Sequence, residues 1–407
     1  MKKSFILKLF LLPCMLAALP CEGLSQNLPI NKWQYIQADD SRQKWGDWDE
    51  PSWLRYFGLD IKDINKDGYQ DVIAGRYFYL NPGGNMTGIW ARSDLGRNAD
   101  GYLFADVDGD QFADVIAEAL PDVYWFEAEN LKGTVWTCRK IGQIPRTDHV
   151  NGQGGRFARL IAGTKGEIIL AANEGIWVTS VPADPEIQDN WSFKLIIRTG
   201  SSEGIGVGDI DGDGDNDLVT GDMHEEDKDV SRQVYWHENP GSLNIQWSKH
   251  HAGSLVNAAD RIEVADLNND GRPDIAVSEE MYPGLDPLAS VVVLTNPGIS
   301  SSHNWKRDVI ITGYSMNNLD AADIDNDGDI DLVTCEHKGK EFRLMLFQND
   351  GKGFFTMHLA DKGHESHLGT QLADLDSDGD PDIVSIAWDN YKFLHVWRND
   401  AIKSEIN

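Results

Sequence analysis

Basic residues are scarce in this chain. Lysine and arginine number 36 against 66 aspartates and glutamates, for a formal net charge of −30. A nucleic-acid partner needs a basic face to meet phosphate, so that class is excluded. Cysteine is scarcer still, at four in 407 residues. Cys14 and Cys21 fall in the N-terminal leader, while Cys138 and Cys335 lie far apart, so no disulfide framework is expected and both should be unpaired and buried. No apolar run is long enough for a comfortable membrane span. The longest, Phe5 to Leu19 after Lys2 and Lys3, is broken by Lys8 and Pro13 and reads as an export signal over residues 1–25, ending near Gly23 and Ser25. A periplasmic, secreted or cell-surface location follows. Lipid anchoring at Cys21 is less favoured, because Leu19-Pro20 suits a lipoprotein cleavage site poorly. The chain also lacks a nucleophile elbow, a phosphate-binding glycine loop and a dinucleotide fingerprint.

What the chain has is apolar bulk and clustered acid. At 41% hydrophobic with 14 tryptophans, a sizeable core is expected. The acid is concentrated in stretches such as Asp323-Ile324-Asp325-Asn326-Asp327-Gly328-Asp329-Ile330-Asp331, followed at once by Leu332-Val333-Thr334. Alternating carboxylates put oxygens on one side of a tight loop, and Gly328 permits the reversal that makes them converge. A hard cation taking about six to eight oxygens, calcium above all, suits such a loop.

Copies occur at Asp63, Asn65, Asp67 and Asp71, and at Asp106, Asp108, Asp110 and Asp114, where Gln111 replaces the glycine. Others are Asp209, Asp211, Asp213 and Asp217; Asp266, Asn268, Asp270 and Asp274; and Asp374, Asp376, Asp378 and Asp382. With Asp323, Asp325, Asp327 and Asp331 these are candidate ligands for up to six structural calcium ions. The copies start 43, 103, 57, 57 and 51 residues apart, and the long gap hides a degenerate repeat. There Arg159, Ile161 and Gly163 replace the acids, and only Glu167 survives ahead of Ile168-Ile169-Leu170.

Each repeat adds an aromatic run ending in a turn, as in Tyr235–Gly241, and a segment opened by Trp90, Trp136, Trp191, Trp247, Trp305 or the Phe354-Phe355 pair. Those tryptophans are expected to pack between repeats. Four short strands per repeat of about 50 residues predict an all-β, seven-bladed propeller. The last repeat stops after Phe393–Asn399, a third strand, and Trp33-Gln34-Tyr35-Ile36 carries the missing fourth, so the N-terminal segment should close the ring. The propeller is expected over residues 32–400, with a short tail at 401–407.

These repeats resemble the FG-GAP/VCBS propeller family, which includes integrin α-chain heads and many secreted bacterial proteins. The resemblance covers about residues 32 to 400. It implies that the calcium loops join the first and second strands of each blade and lie on one face, opposite the usual ligand face. The family includes adhesion modules, polysaccharide lyases and sugar dehydratases, so the fold does not fix an activity.

The opposite face collects the candidate site. After the second strands come Arg76, Glu118, Glu174, His224, Glu279-Glu280, Glu336-His337 and Trp388-Asp389-Asn390. The blade connections add His149 with Arg156, Arg261 and Gly363-His364-Glu365-Ser366-His367, and Tyr282 falls in a long loop of the fifth blade. The candidate catalytic residues, with individual roles unassigned, are His149, His224, His337, His364, His367, Glu336, Arg156, Tyr282 and Asp389. Carboxylates and histidines would do acid–base work, His149 or Tyr282 would be a lyase base and Arg156 would neutralise a uronate, with Trp45, Trp48, Trp53 or Trp388 stacking on sugar. A divalent metal held by His224, Glu336, His337, His364 and His367 fits the same residues. The reading is a monomeric, carbohydrate-active protein of lyase, dehydratase or hydrolase type. Its acidic mouth suits a neutral substrate better than an anionic polymer. The alternative is a non-catalytic module binding glycan or protein.

Overall fold

The computed structural model describes residues 28–45, 54–110, 112, 114–147, 151–152, 154–198, 203–221, 232–281, 284–298 and 305–402. They form seven four-stranded antiparallel sheets set as blades around a central channel, with no helix among the described residues. The first blade is Leu59–Lys62, Asp71–Ala74, Tyr77–Leu80 and Ala91–Asp94. Blades two to six begin at Asp100, Gly155, Ile205, Ala258 and Asp320. The seventh joins Leu368–Ala373, Asp382–Ile386 and Leu394–Asn399 to the N-terminal strand Trp33–Asp39. Trp33 pairs with Asn399 and Ile36 with Val396, which closes the ring.

Burial follows the position of each strand. Second and third strands lie between neighbouring blades and read as continuous apolar runs, such as Ile168-Ile169-Leu170. Fourth strands face outward and are largely exposed, as in Ala91–Asp94. The aromatic residues that open them turn back into the core. Trp90, Trp191, Trp247 and Trp305 are buried, Trp191 lies 6.1 Å from Trp125 of the preceding blade, and Trp136 lies edge-on to Phe78 at 5.8 Å. Cys335 is buried, but Cys138 is exposed, contrary to expectation, because it sits on an outer strand; both are free.

The acidic stretches join first to second strands, and their last acid is a structural hub. Asp71, Asp217, Asp274, Asp331 and Asp382 are each buried. One carboxylate oxygen accepts the N–H seven residues upstream, from Ile64, Ile210, Leu267, Ile324 and Leu375, at 2.8–3.2 Å. The other accepts the N–H of an asparagine ending the third strand: Asn81, Asn239, Asn296, Asn349 or Asn399. In four blades that asparagine reaches the preceding blade. Asn81 donates to the Leu375 carbonyl, Asn239 to Leu160, Asn296 to Ile210 and Asn349 to Leu267, at 2.7–2.9 Å.

Replacing Asn349 by alanine would leave two buried carbonyls, of Leu267 and Ile330, without their donor. The loss should be about 2–3 kcal/mol in urea or thermal unfolding. Asn399→Ala should cost less, since its amide reaches only Pro381 of its own blade, at 3.4 Å.

Candidate functional site

The two ends of the propeller differ in chemistry. At the loop end, Gly68, Gly214, Gly271, Gly328 and Gly379 adopt φ of +84° to +101°. Each donates its N–H to the first aspartate of its loop, at 2.8–3.1 Å. Carboxylate oxygens of Asp209, Asp211 and Asp217 come within 4.8 Å of one another, as do those of Asp106, Asp108 and Asp114. The sequence reading overlooked a further acid at the seventh position, and Oδ1 of Asp215 and Asp380 is buried without a partner.

The first strands line a channel whose cavity is about 410 Å³. Acids on these strands tie neighbouring blades together. Asp60 accepts the Phe104 N–H at 2.6 Å, and Asp320 accepts that of Leu372 at 2.7 Å. Burial raises both carboxyls to about 6. Arg156 spans from the third blade to Glu263 of the fifth, at 2.7 Å. Burial raises Glu263 to about 7 against the opposing pull of Arg156.

Nearer the end away from the loops, Tyr102 and Arg261 face the channel. Arg261 is paired with Asp260 at 3.0 Å. Burial and the neighbouring Asp100 and Glu118 hold the Tyr102 phenol well above its ordinary range. Its Oη is buried and has no hydrogen-bond partner. Glu118, fully buried, accepts the Gly152 N–H at 2.6 Å through one oxygen, while its Oε1 has no partner. Burial, with Asp100 adding, raises this carboxyl to about 8. Asn151 donates to Asp100 at 2.5 Å and leaves its own Oδ1 unmatched.

A second group forms between blades six and seven. His337 and His367 stack with ring centroids 3.7 Å apart and planes 13° from parallel. Glu365 Oε1 lies 3.3 Å from His367 Nδ1. The connection carrying Glu365–His367 is pinned from below: Ser366 donates to Cys335 Sγ at 3.0 Å, and its carbonyl accepts from Asn318 and Thr370 at 2.9 and 2.6 Å. Burial drives His337 down to about 3 and His367 well below the ordinary imidazole value, with Lys338 contributing to both.

Only part of the expected constellation converges. His337 and His367 meet, but Glu336 does not join them. It is buried and held by the Arg343 guanidinium at 2.6 and 3.1 Å, so it serves as an ion-pair partner. His364 is also withdrawn. It pairs with Asp361 at 2.6 Å and stacks on Tyr35 at 3.9 Å, against the outer strands of blade seven. Arg156 lies on a first strand inside the channel and not on a blade connection. Asp389 is exposed and faces Lys338 at 3.4 Å. Trp45 is a core residue against Tyr56, unavailable for sugar stacking, whereas Trp388 stays partly exposed beside Phe57. His149, His224, Tyr282, Trp48 and Trp53 lie outside the described residues. The sequence reading passed over Tyr102 and chose Glu336 over Glu365; a buried acid two residues from His367 was the available signal.

Comparison with known proteins agrees with this architecture. The FG-GAP-like repeat family matches residues 209–277 and 323–385. No curated protein sequence matches the chain. Among solved structures, BBS1N in complex with ARL6DN, soaked with lead, superposes with a TM-score of 0.55 at 9% identity, covering 93% of this chain and 99% of that one. A lectin from Agrocybe aegerita, described for its recognition of non-reducing terminal N-acetylglucosamine, superposes with a TM-score of 0.50 at 15% identity, covering 75% and 80%. At such identities the likeness concerns the fold alone. The chain is a seven-bladed β-propeller in which residues 209–277 and 323–385 match the FG-GAP-like repeat family.

Proposed function

We propose that the chain is an exported carbohydrate-binding propeller whose ligand enters the channel mouth away from the acidic loops. The observation that carries this reading is Tyr102 Oη, buried on the channel wall without a partner. A buried hydroxyl left unmatched costs stability, and a bound ligand would complete it. Glu118 Oε1 and Asn151 Oδ1 stand unmatched in the same region. Phe57, Phe104 and Phe157 supply apolar surface to a cavity of about 410 Å³. Such a mixture suits a sugar, which presents hydroxyls on its edge and C–H groups on its face. Among the described lining residues both arginines are engaged with acids, which favours a neutral sugar over a uronate. The lectin neighbour, whose own ligand is a terminal amino sugar, adds support from the same fold.

Bond-breaking chemistry is the second reading, and Glu118 favours it. A carboxyl raised by burial to about 8 keeps its proton near neutrality, the form a general acid needs. Hydrolysis or dehydration of a neutral sugar fits this better than lyase action on a polyuronate.

Calcium is proposed at the loop end, and the residues fit it. Asp63, Asp325 and Asp376 each keep a buried Oδ1 with no partner, in loops crowded with like charge. Bound calcium would coordinate these oxygens and relieve their mutual repulsion. The leader at residues 1–25 supports export, and no described helix is long and apolar enough to cross a membrane.

Three outcomes test these readings. Calorimetric titration with a panel of neutral oligosaccharides should find a ligand for the wild type, and Tyr102→Phe should weaken it about 2–10-fold without lowering the melting temperature. Equal affinity in the variant, or binding confined to uronates, would overturn the assignment. Glu118 holds its proton to about pH 8 when folded but releases it near 4.5 when unfolded, so its contribution is full below about 4.5 and falls as pH rises to about 8. Glu118→Gln should flatten that decline and unfold later than wild type above pH 8; an unchanged profile of unfolding midpoint against pH would count against a protonated Glu118. Chelation should lower the melting temperature of the wild type and calcium restore it, with Asp325→Asn needing more calcium for the same recovery.

A further inference from the structure

We propose that His337, Glu365 and His367 form a site for a borderline transition-metal dication such as zinc, separate from the acidic loops. The three side chains offer ligand atoms within 4.8 Å of one another. His367 is completely buried, and neither of its ring nitrogens has a hydrogen-bond partner. His337 Nε2 is likewise buried and unmatched. Unmatched nitrogens on two imidazoles beside a buried carboxylate are costly as structure alone, and a coordinated cation would use one nitrogen of each ring.

The surroundings preset the ligands for coordination. His337 Nδ1 lies 3.0 Å from the Asn317 side-chain oxygen, which also accepts from Ser315 Oγ at 3.0 Å. An acceptor there requires Nδ1 to carry the proton, which leaves the Nε2 lone pair free. Glu365 is oriented by the Asp389 N–H at 2.9 Å and by the Asn390 N–H and amide at 2.8 and 2.9 Å. Such outer partners commonly fix the rotamer and tautomer of metal ligands. Burial keeps both imidazoles neutral, the form that binds a metal. The nearby cations are already engaged, Lys338 with Asp389 and Arg261 with Asp260.

Two histidines and one carboxylate leave a fourth tetrahedral position open, the ligand number of catalytic zinc sites. Imidazole disfavours calcium, so this donor set and the all-oxygen loops should sort different ions within one chain. The site stands whether or not the channel binds sugar, because its evidence lies in other residues.

The test titrates cobalt(II), then zinc, into full-length protein stripped of transition metals and held in excess calcium. One equivalent of cobalt should bind with visible d–d absorption of a four- or five-coordinate nitrogen–oxygen site, and zinc should displace it. His337→Gln and His367→Ala should abolish that absorption. Asn317→Ala, which removes only the partner of His337, should weaken binding about 10–100-fold. Should His367→Ala fail to fold, His337→Gln, at the more exposed ring, decides the matter against a circular-dichroism check of its fold. Absence of the absorption in wild type, or its persistence in His337→Gln, overturns the proposal.

Discussion

The bond on which the rest of the propeller depends joins the last acid of five of the six acidic loops to two backbone amides. At four blade junctions the residue whose N–H the hub acid binds, one after the loop's first position, is also the residue whose carbonyl the next blade's asparagine reaches. Ile210 donates to Asp217 within its blade and accepts from Asn296 of the next; Leu267 donates to Asp274 and accepts from Asn349. The links therefore run from blade to blade around the loop end. Apolar packing supplies most of the gross stabilisation but is non-directional. These charge-assisted bonds fix the register between blades, which the packing of similar β-surfaces leaves loosely specified.

This division explains why the two ends carry different chemistry. At the loop end the hub acids of five blades engage both of their oxygens, and what remains unmatched there is largely carboxylate oxygen. At the other end the described connections differ from blade to blade in length and sequence. There the buried unmatched atoms are chemically varied: a phenol, an amide oxygen, a carboxyl and imidazole nitrogens. A scaffold held together by its hub acids can leave other polar groups unmatched at either end, and such exceptions mark sites.

Most of the fold was legible because its signals are local. Each loop spans nine residues, its glycine sits at a fixed offset, and the aromatic residue opening each fourth strand recurs at a steady distance. Even the closing strand followed from counting what the last repeat lacked. The site was less legible because it is assembled from residues far apart in the chain, whose side-chain directions the sequence does not display. Glu336 and His337 are adjacent in sequence, yet one turns to Arg343 and the other to His367. His364 and His367 are three residues apart on one connection, and they end on different neighbours, Tyr35 and His337. Tyr102 carried no motif at all. It stands out only because it lines the channel and its hydroxyl is buried without a partner.

The third blade separates the two roles that the acidic loops combine. It has lost the acids at positions 159, 161 and 163, yet Glu167 still accepts the Leu160 and Ile161 N–H groups at 2.7 and 3.2 Å and the Ser180 hydroxyl at 2.8 Å. Its third strand ends at Ser180 without the asparagine that elsewhere reaches the preceding blade. Lys165 takes over that contact, donating Nζ to the Val107 carbonyl at 3.2 Å. Val107 occupies the position in the second blade that Ile210 and Leu267 occupy in theirs. The blade thus keeps both the hub acid and the link to its neighbour while the acidic cluster is gone. The latch therefore does not depend on the acidic cluster, which is concentrated where several like charges are packed around one turn.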